Sequence, residues 1–520
     1  MWSAQDDPLR VYRNLLTFVI LLLGSCNSSS AELVVFVSPS GSDVNGTGLI
    51  YSPYLTIGRA LEDVPEDNGG LLAVIAMMEG LYPAFGNSDL TYSKSVGLII
   101  EAYSSTVFPN VCIDLDGASK FITFNVGVGD DVTDPIQFSL MGLWVANASS
   151  TAVDQIGSGE LSISGCLFTD NGRANSTSSG GAVHVVESAG RPRFHLIYNC
   201  TFLRNEAEEG GAIAFEATTN STITVTSSHF EDNIAGVNGG AMFTSGQVEF
   251  QNVDFYSNHA VSGMGGALYA FSHNSPDCLL LQYNLTASFN RAGTSGGAFA
   301  FSNCQLTTLW SQAIILSSNS ANEYGGAIFF EGGYMYVSSS LPLTASNNSA
   351  GIAGGWLAIE ESLSTNIIAH TTSAFNFAPR GSCIYLREAQ LQQETSYFVG
   401  HDDDDDDYVG DDANLAEVLL VGGSEYTVRS ISSGKDTIVL PFFSNQGGVI
   451  AFTSTSFQLF ALPTSDMDGN SSLYIQNGNV QQIGDFKWSG GEVTGGSPSN
   501  LTQWMVGNTM NVTAFRDGSS

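Results

Sequence analysis

Apolar and polar residues between positions 168 and 359 alternate over short runs and never recur at helical spacing. Thr222-Ile223-Thr224-Val225-Thr226 is one such run, and Asn and Gly bound most of them. Period-two alternation in Val-, Ile-, Thr- and Phe-rich segments predicts short strands with one buried face. The residues behind each Gly-Gly pair repeat this rule. Val183/Val185, Ile213/Phe215, Leu268/Ala270, Phe299/Phe301, Ile328/Phe330 and Leu357/Ile359 are mostly large and apolar. The position between them changes freely, from His184 to Ala214 to Tyr269. Three short strands per unit, closed by tight turns, make one coil of a parallel β-helix, so the predicted class is all-β and solenoidal.

Seven segments align in register, opening at Phe168, Phe202, Phe230, Phe255, Ala287, Leu316 and Ala345. Each reads apolar, two polar residues, Asn, usually x-Ala, a variable polar loop, then Gly-Gly, Ala or Trp, and an apolar residue. The glycine pairs start at Gly180, Gly210, Gly239, Gly265, Gly296, Gly325 and Gly354, a spacing close to 30 residues. Weaker units follow at Asn376–Ile384 and from Pro441. In a stack of such coils, equivalent residues lie about 4.8 Å apart. The Asn is expected to occupy a left-handed turn and to extend hydrogen bonds between coils. Gly-Gly supplies turn conformations closed to other residues, and the leading Phe or Leu builds an internal ladder. Cys166 and Cys200 each stand two residues before their Phe, so stacking predicts a Cys166–Cys200 disulfide. Cys112, Cys278, Cys304 and Cys383 share no register, and their pairing stays open.

Composition supports one long rod over several globules. The chain has 520 residues with 57 Gly, and 51 acidic residues against 16 basic give a net charge of −35. Nucleic acid is excluded as a partner by that charge. At about 30 residues per coil, the chain predicts roughly 16 coils and about 75–80 Å of length. Arg10 and Arg13 precede an apolar run from Leu15 to Gly24, which reads as a secretory signal over residues 1–31. Leu23-Gly24-Ser25-Cys26 also fits a bacterial lipid-attachment signal. No transmembrane segment is expected in the mature chain. Eleven N-x-S/T sites, at Asn27 and at Asn45, Asn147, Asn175, Asn199, Asn220, Asn284, Asn347, Asn470, Asn500 and Asn511, suggest glycosylation on export. The expected location is therefore extracellular, secreted or peripherally attached to the cell surface.

Two family patterns are present. The repeat FxxN followed by GGA and an aliphatic residue, over 168–359, resembles that of the chlamydial polymorphic outer membrane proteins. The opening Phe36-Val37-Ser38-Pro39-Ser40-Gly41-Ser42-Asp43, with Ser52-Pro53-Tyr54-Leu55-Thr56-Ile57, Ala60-Leu61 and Gly80-Leu81-Tyr82, resembles that of pectin-lyase-like proteins. These resemblances imply a single-stranded right-handed parallel β-helix with a short N-terminal capping helix. The division expected is a cap and first coils over 32–165, regular coils over 166–390, an acidic insertion loop over 391–418 and degenerate coils over 419–520. The chlamydial proteins end in a membrane barrel; the regular amphipathic strands this needs are not evident in the last segment, so anchoring is not carried over.

No catalytic residue is assigned. Asp114 and Asp116 alternate on an expected strand and are the nearest approach to a paired-carboxylate site; outward solvated acids are the plainer reading. Asp130, Asp131 and Asp134 read as a loop, and Arg191-Pro192-Arg193 only loosely matches the Arg-Pro-Arg elements of pectate lyases. The seven His (184, 195, 229, 259, 273, 370 and 401) show no metal spacing, and His184 and His229 are expected to decorate strand surfaces. His401 through Asp412 carries eight carboxylates and reads as a solvated insertion. No cofactor or metal is expected, except weak Ca²⁺ binding at that run. The function expected is an adhesion, binding or structural module whose partners are extracellular glycans or surface proteins. The alternative is an extracellular polysaccharide lyase or glycoside hydrolase.

Overall fold

The computed structural model describes residues 33–399 except 67–71, 104–108, 127–134, 174–176, 188–191, 218–220, 272–276, 282–283, 312, 340–342, 363 and 380–382; beyond 417 it describes strand backbone. The chain winds as a right-handed parallel β-solenoid. Nine successive parallel pairings carry one ladder from Leu33–Val37 through Ala73–Met77 and Glu160–Ser164 to Phe299–Ser311. That is an axial rise of about 43 Å. Parallel pairings continue to Ala514–Arg516.

One coil shows why the repeat has its form. Val183–Val186, Phe194–Tyr198 and Thr201–Leu203 make its three sides, and a next coil begins at Ile213–Glu216. Val183 and Val185 point inward and His184 outward, as the alternation requires. Phe168, Phe202, Phe230 and Phe255 stack inside with centroids 4.8–5.3 Å apart and nearly parallel rings. The x-Ala of the motif forms a fourth, two-residue ladder. Ala207, Ala235, Ala260, Ala292, Ala321 and Ala350 each turn inward there and are buried.

The Asn of each unit is where the structure departs from expectation. Asn171, Asn205, Asn233, Asn258, Asn290, Asn319, Asn348 and Asn376 are all buried. Each Nδ2 but that of Asn376, the last, donates to Oδ1 of the next Asn at 2.9–3.0 Å. The same Oδ1 also accepts the backbone N–H of the preceding coil's Asn, for example Asn233 N to Asn258 Oδ1 at 3.1 Å. The axial ladder is as predicted. The left-handed residue, however, is the one before it: Asp170, Arg204, Asp232, Ser257, Phe289, Ser318, Asn347 and Phe375 have φ of 52–60°. The Asn side chain is occupied along the axis, so the chain reverses one residue earlier.

The two glycines of a pair differ in purpose. Gly239 has φ +65°, whereas a Cβ on Gly240 would lie 2.0 Å from Gly266 O of the next coil. The first supplies a conformation and the second supplies room.

The N-terminal helix α1, Ile57–Asp63, is present and buries Ile57, Ala60 and Leu61 over the first coil. Thr56 caps it, accepting Arg59 N at 3.2 Å. Asp43 in turn accepts Leu55 N, Thr56 N and Thr56 Oγ1 at 2.8–3.0 Å. Among the described residues no helix is long and apolar enough to cross a membrane.

Candidate functional site

The corner over the Asn ladder carries an open groove of about 650 Å³. Two rows of side chains form its walls. The left-handed row supplies Asp170, Arg204, Asp232, Ser257 and Phe289, and the row behind the Asn supplies Gly172, Glu206, Ile234, His259 and Arg291. Asn258 lies in the floor. Five coils contribute, so the groove runs about 19 Å along the axis.

Charge changes along it. At one end Arg204 forks onto Asp170 of the preceding coil, Nε to Oδ1 at 2.8 Å and Nη2 to Oδ2 at 2.9 Å. At the other, His259 and Arg291 are register partners on adjacent coils. Burial and the adjacent guanidinium hold the His259 pKa below its usual value. Phe289 beside them is 56% exposed, and its ring meets Tyr256 edge-on at 5.4 Å.

A second polar constellation crosses the outer face of the first regular coils. His184 Nδ1 lies 3.2 Å from Asp154 Oδ1, its Nε2 lies 3.2 Å from Glu216 Oε1, and Lys120 pairs with the same Asp154. Burial disfavours charge on His184, but hydrogen bonds to Asp154 and Glu216 outweigh it and raise its pKa to about 9. His229 likewise lies on a strand surface, between Asp254 and Glu231. Glu209 is raised to about 7, chiefly by burial and against the two hydrogen bonds it accepts from Asn238.

Farther along, the outward face is no surface at all. Ala300, Phe329, Ala358 and Tyr385 form an outer apolar cluster with Ala353, covered by Met264, Tyr269, Tyr324 and Ile352. The loops preceding Gly-Gly fold over the variable positions there, an arrangement the alternation alone does not announce.

Asp114 ends the strand Val111–Asp114, and Asp116 follows in a left-handed turn at φ 46°, not on the same strand face. Asp114 Oδ1 accepts Asp116 N at 3.1 Å and Asn147 Nδ2 at 2.9 Å, so the first acid organises a turn. Arg193 is buried. Asp130, Asp131, Asp134, Arg191, His273 and the acidic run from His401, with its calcium expectation, lie outside the described residues, as does the side chain of His370. Among the described residues no three His, Cys, Asp or Glu side chains converge as metal ligands do.

Cys166 and Cys200 stack as the register requires, beside the pairs Leu167–Thr201 and Phe168–Phe202. Both are buried, and both are free cysteines in this structure. The Cys166 Sγ lies 3.4 Å from Ser164 O and the Cys200 Sγ lies 3.3 Å from Tyr198 O. Burial, then the Cys166 neighbour, pushes the Cys200 thiol well above its ordinary pKa. Cys304 is disulfide-bonded. Asn45, Asn147, Asn199, Asn284 and Asn347 are exposed, while Asn175, Asn220, Asn470, Asn500 and Asn511 fall outside the described side chains.

Sequence reasoning missed an interior pair. His195 and Glu187 are each 1% exposed, with Nε2 to Oε1 at 2.7 Å. His195 Nδ1 accepts the Leu161 amide at 3.2 Å, so the ring proton sits on Nε2 and is donated to Glu187. Glu187 Oε2 has no hydrogen-bond partner among the described residues. Comparison of the chain with protein families, with curated proteins and with solved structures finds no match.

Proposed function

We propose that this chain is a secreted or cell-surface β-helix repeat protein acting as an adhesion, binding or structural module. It is read as a relative of the pectin-lyase-like proteins, with repeats of the chlamydial outer-membrane type. One observation carries the reading: a repeated frame of buried Asn and paired Gly holds a lateral groove whose walls change residue at every coil. Such a frame lets surface chemistry vary without disturbing the core. Export, glycans on the exposed sequons and an oxidised Cys166–Cys200 pair belong to the same proposal. Extracellular glycans or surface proteins are its partners, and calcium at the acidic run is its only proposed ion.

The use of Asp114 in a turn supports binding over carbohydrate cleavage. The test is to offer the full chain to glycan and extracellular-protein arrays and to assay pectin, alginate and chondroitin for cleavage. Saturable binding without cleavage is expected. Cleavage that is lost in Asp114→Asn overturns the reading.

A further inference from the structure

The groove's two ends are chemically unequal, and one of its residues is in an unfavourable place twice over. Phe289 sits at φ 60°, a left-handed backbone that bulky L-residues rarely adopt, and it is more than half exposed to water. Asp170, Asp232 and Asn347 show which residue types suit the same row. A conformational penalty combined with an exposed ring points to a use outside folding.

From this arrangement we infer that the His259–Arg291–Phe289 end of the groove binds a protein segment presenting an Asp or Glu side chain next to a large apolar one. This deepens the binding-module reading and rests on it. Arg291 and His259 stand side by side with no carboxylate paired to either among the described residues, within a chain of net charge −35. A carboxylate is the group that fits between them. Phe289 and Tyr256 meet at 65°, which makes an angled apolar notch instead of a flat platform for a sugar ring. Aromatic residues and Arg are the side chains that dominate protein interfaces. The corner backbone is already bonded between coils, as in Arg291 N to Asn258 O and His259 N to Asn233 O at 2.9 Å. Recognition therefore works through side chains, not by strand addition. Asp232, two coils away from Phe289 along the same wall, favours a segment that is basic there, so orientation is set as well.

The experiment uses the full chain immobilised against a random-sequence peptide display library, with a glycan array as a second probe. Enrichment of peptides carrying Asp or Glu within two positions of Leu, Met, Phe or Trp is expected. Phe289→Asn and Arg291→Glu should each weaken the enriched peptides by roughly tenfold or more. Phe289→Asn should also unfold at or above the wild-type midpoint, because Asn suits that backbone; a merely structural Phe would lower it. No enriched motif, binding unchanged in both variants, or a glycan in place of peptides at this groove overturns the inference. Array binding that survives both variants leaves the module reading standing; absence of binding to every probe removes both.

Discussion

The first coils and the regular coils close the same solenoid by different means. From Asn171 onward one side chain, the buried Asn, satisfies backbone groups coil after coil. Before it, the work is divided among unlike residues. Tyr82 Oη donates to the carbonyls of Val37 and Met78 at 2.9 and 2.7 Å, and Tyr92 Oη donates to Val96 O at 2.7 Å. Asn87 accepts Ile57 N at 2.8 Å at the start of α1. At the position where the regular coils hold their Phe ladder the first coils place Ile113 and Val145, and their own ring stack, Phe124 on Phe138 at 4.5 Å, joins two other sides. A parallel β-helix thus matches its buried backbone groups, but not by any one residue type. Repetition concentrates that duty; irregularity spreads it.

The sharpest way to break this contrast is through glycine. Gly240→Ala places a Cβ 2.0 Å from Gly266 O and 2.5 Å from His259 N, both backbone. A loss of about 4 kcal/mol or more is expected in denaturant unfolding. Gly117→Ala in the first coils, at φ +80° with its nearest neighbour 3.7 Å away at Arg173 Nη2, should cost only about 1–2 kcal/mol. Equal losses would show that the Gly pairs have no special standing.

The hydrogen-bonding side chains give the next effect. Asn258→Ala removes the side-chain acceptor of the Asn233 N–H and the side-chain donor to the Phe230 carbonyl and to Asn290 Oδ1, which keeps only the backbone N–H of residue 258; a loss of about 3 kcal/mol is predicted. Tyr92→Phe removes a single bond to Val96 O and should cost about 1 kcal/mol.

A further modest effect is a pH dependence carried by His184 and Glu209 in the first regular coils. His184 has its folded pKa raised from 6.5 to about 9, so its ion pairs stabilise fully below pH 6.5 and are lost as pH rises through 9. Glu209 is raised from 4.5 to about 7 by burial; its neutral form is preferred in the fold, so stability falls as pH rises from 4.5 through 7. Each contributes about 1–2 kcal/mol after allowance for solvent screening. Unfolding curves against pH should lose their upper slope in His184→Gln and their lower slope in Glu209→Gln. Slopes unchanged by either substitution would contradict these assignments.

The fold was legible because the regular coils repeat their duties at one register: the inward alternation, the Phe stack, the Asn ladder and the x-Ala row can each be read from the segments opening at Phe168 to Ala345. The left-handed turn was assigned one residue late, because Asn tolerates that backbone and Phe289, Phe375 and Arg204 before it do not advertise it. Asp114 and Asp116 looked like a strand pair because alternation cannot mark where a strand stops. The groove was hidden for a different reason. Its walls come from positions on either side of five separate Asn residues, near neighbours only after the coils stack. His195 and Glu187 are eight residues apart on different sides of one coil, and no spacing signals them.

The central claim is that the buried Asn ladder locks the regular coils and leaves the first coils to their own bonds. Hydrogen exchange, measured in the native state for wild type and Asn258→Ala, tests it most directly. The Asn233 amide, which donates to Asn258 Oδ1, should lose protection by roughly a hundredfold. Amides of Ala73–Met77 and Leu98–Ala102 should exchange as before. Unchanged exchange at Asn233, or an equal loss in both regions, would contradict it.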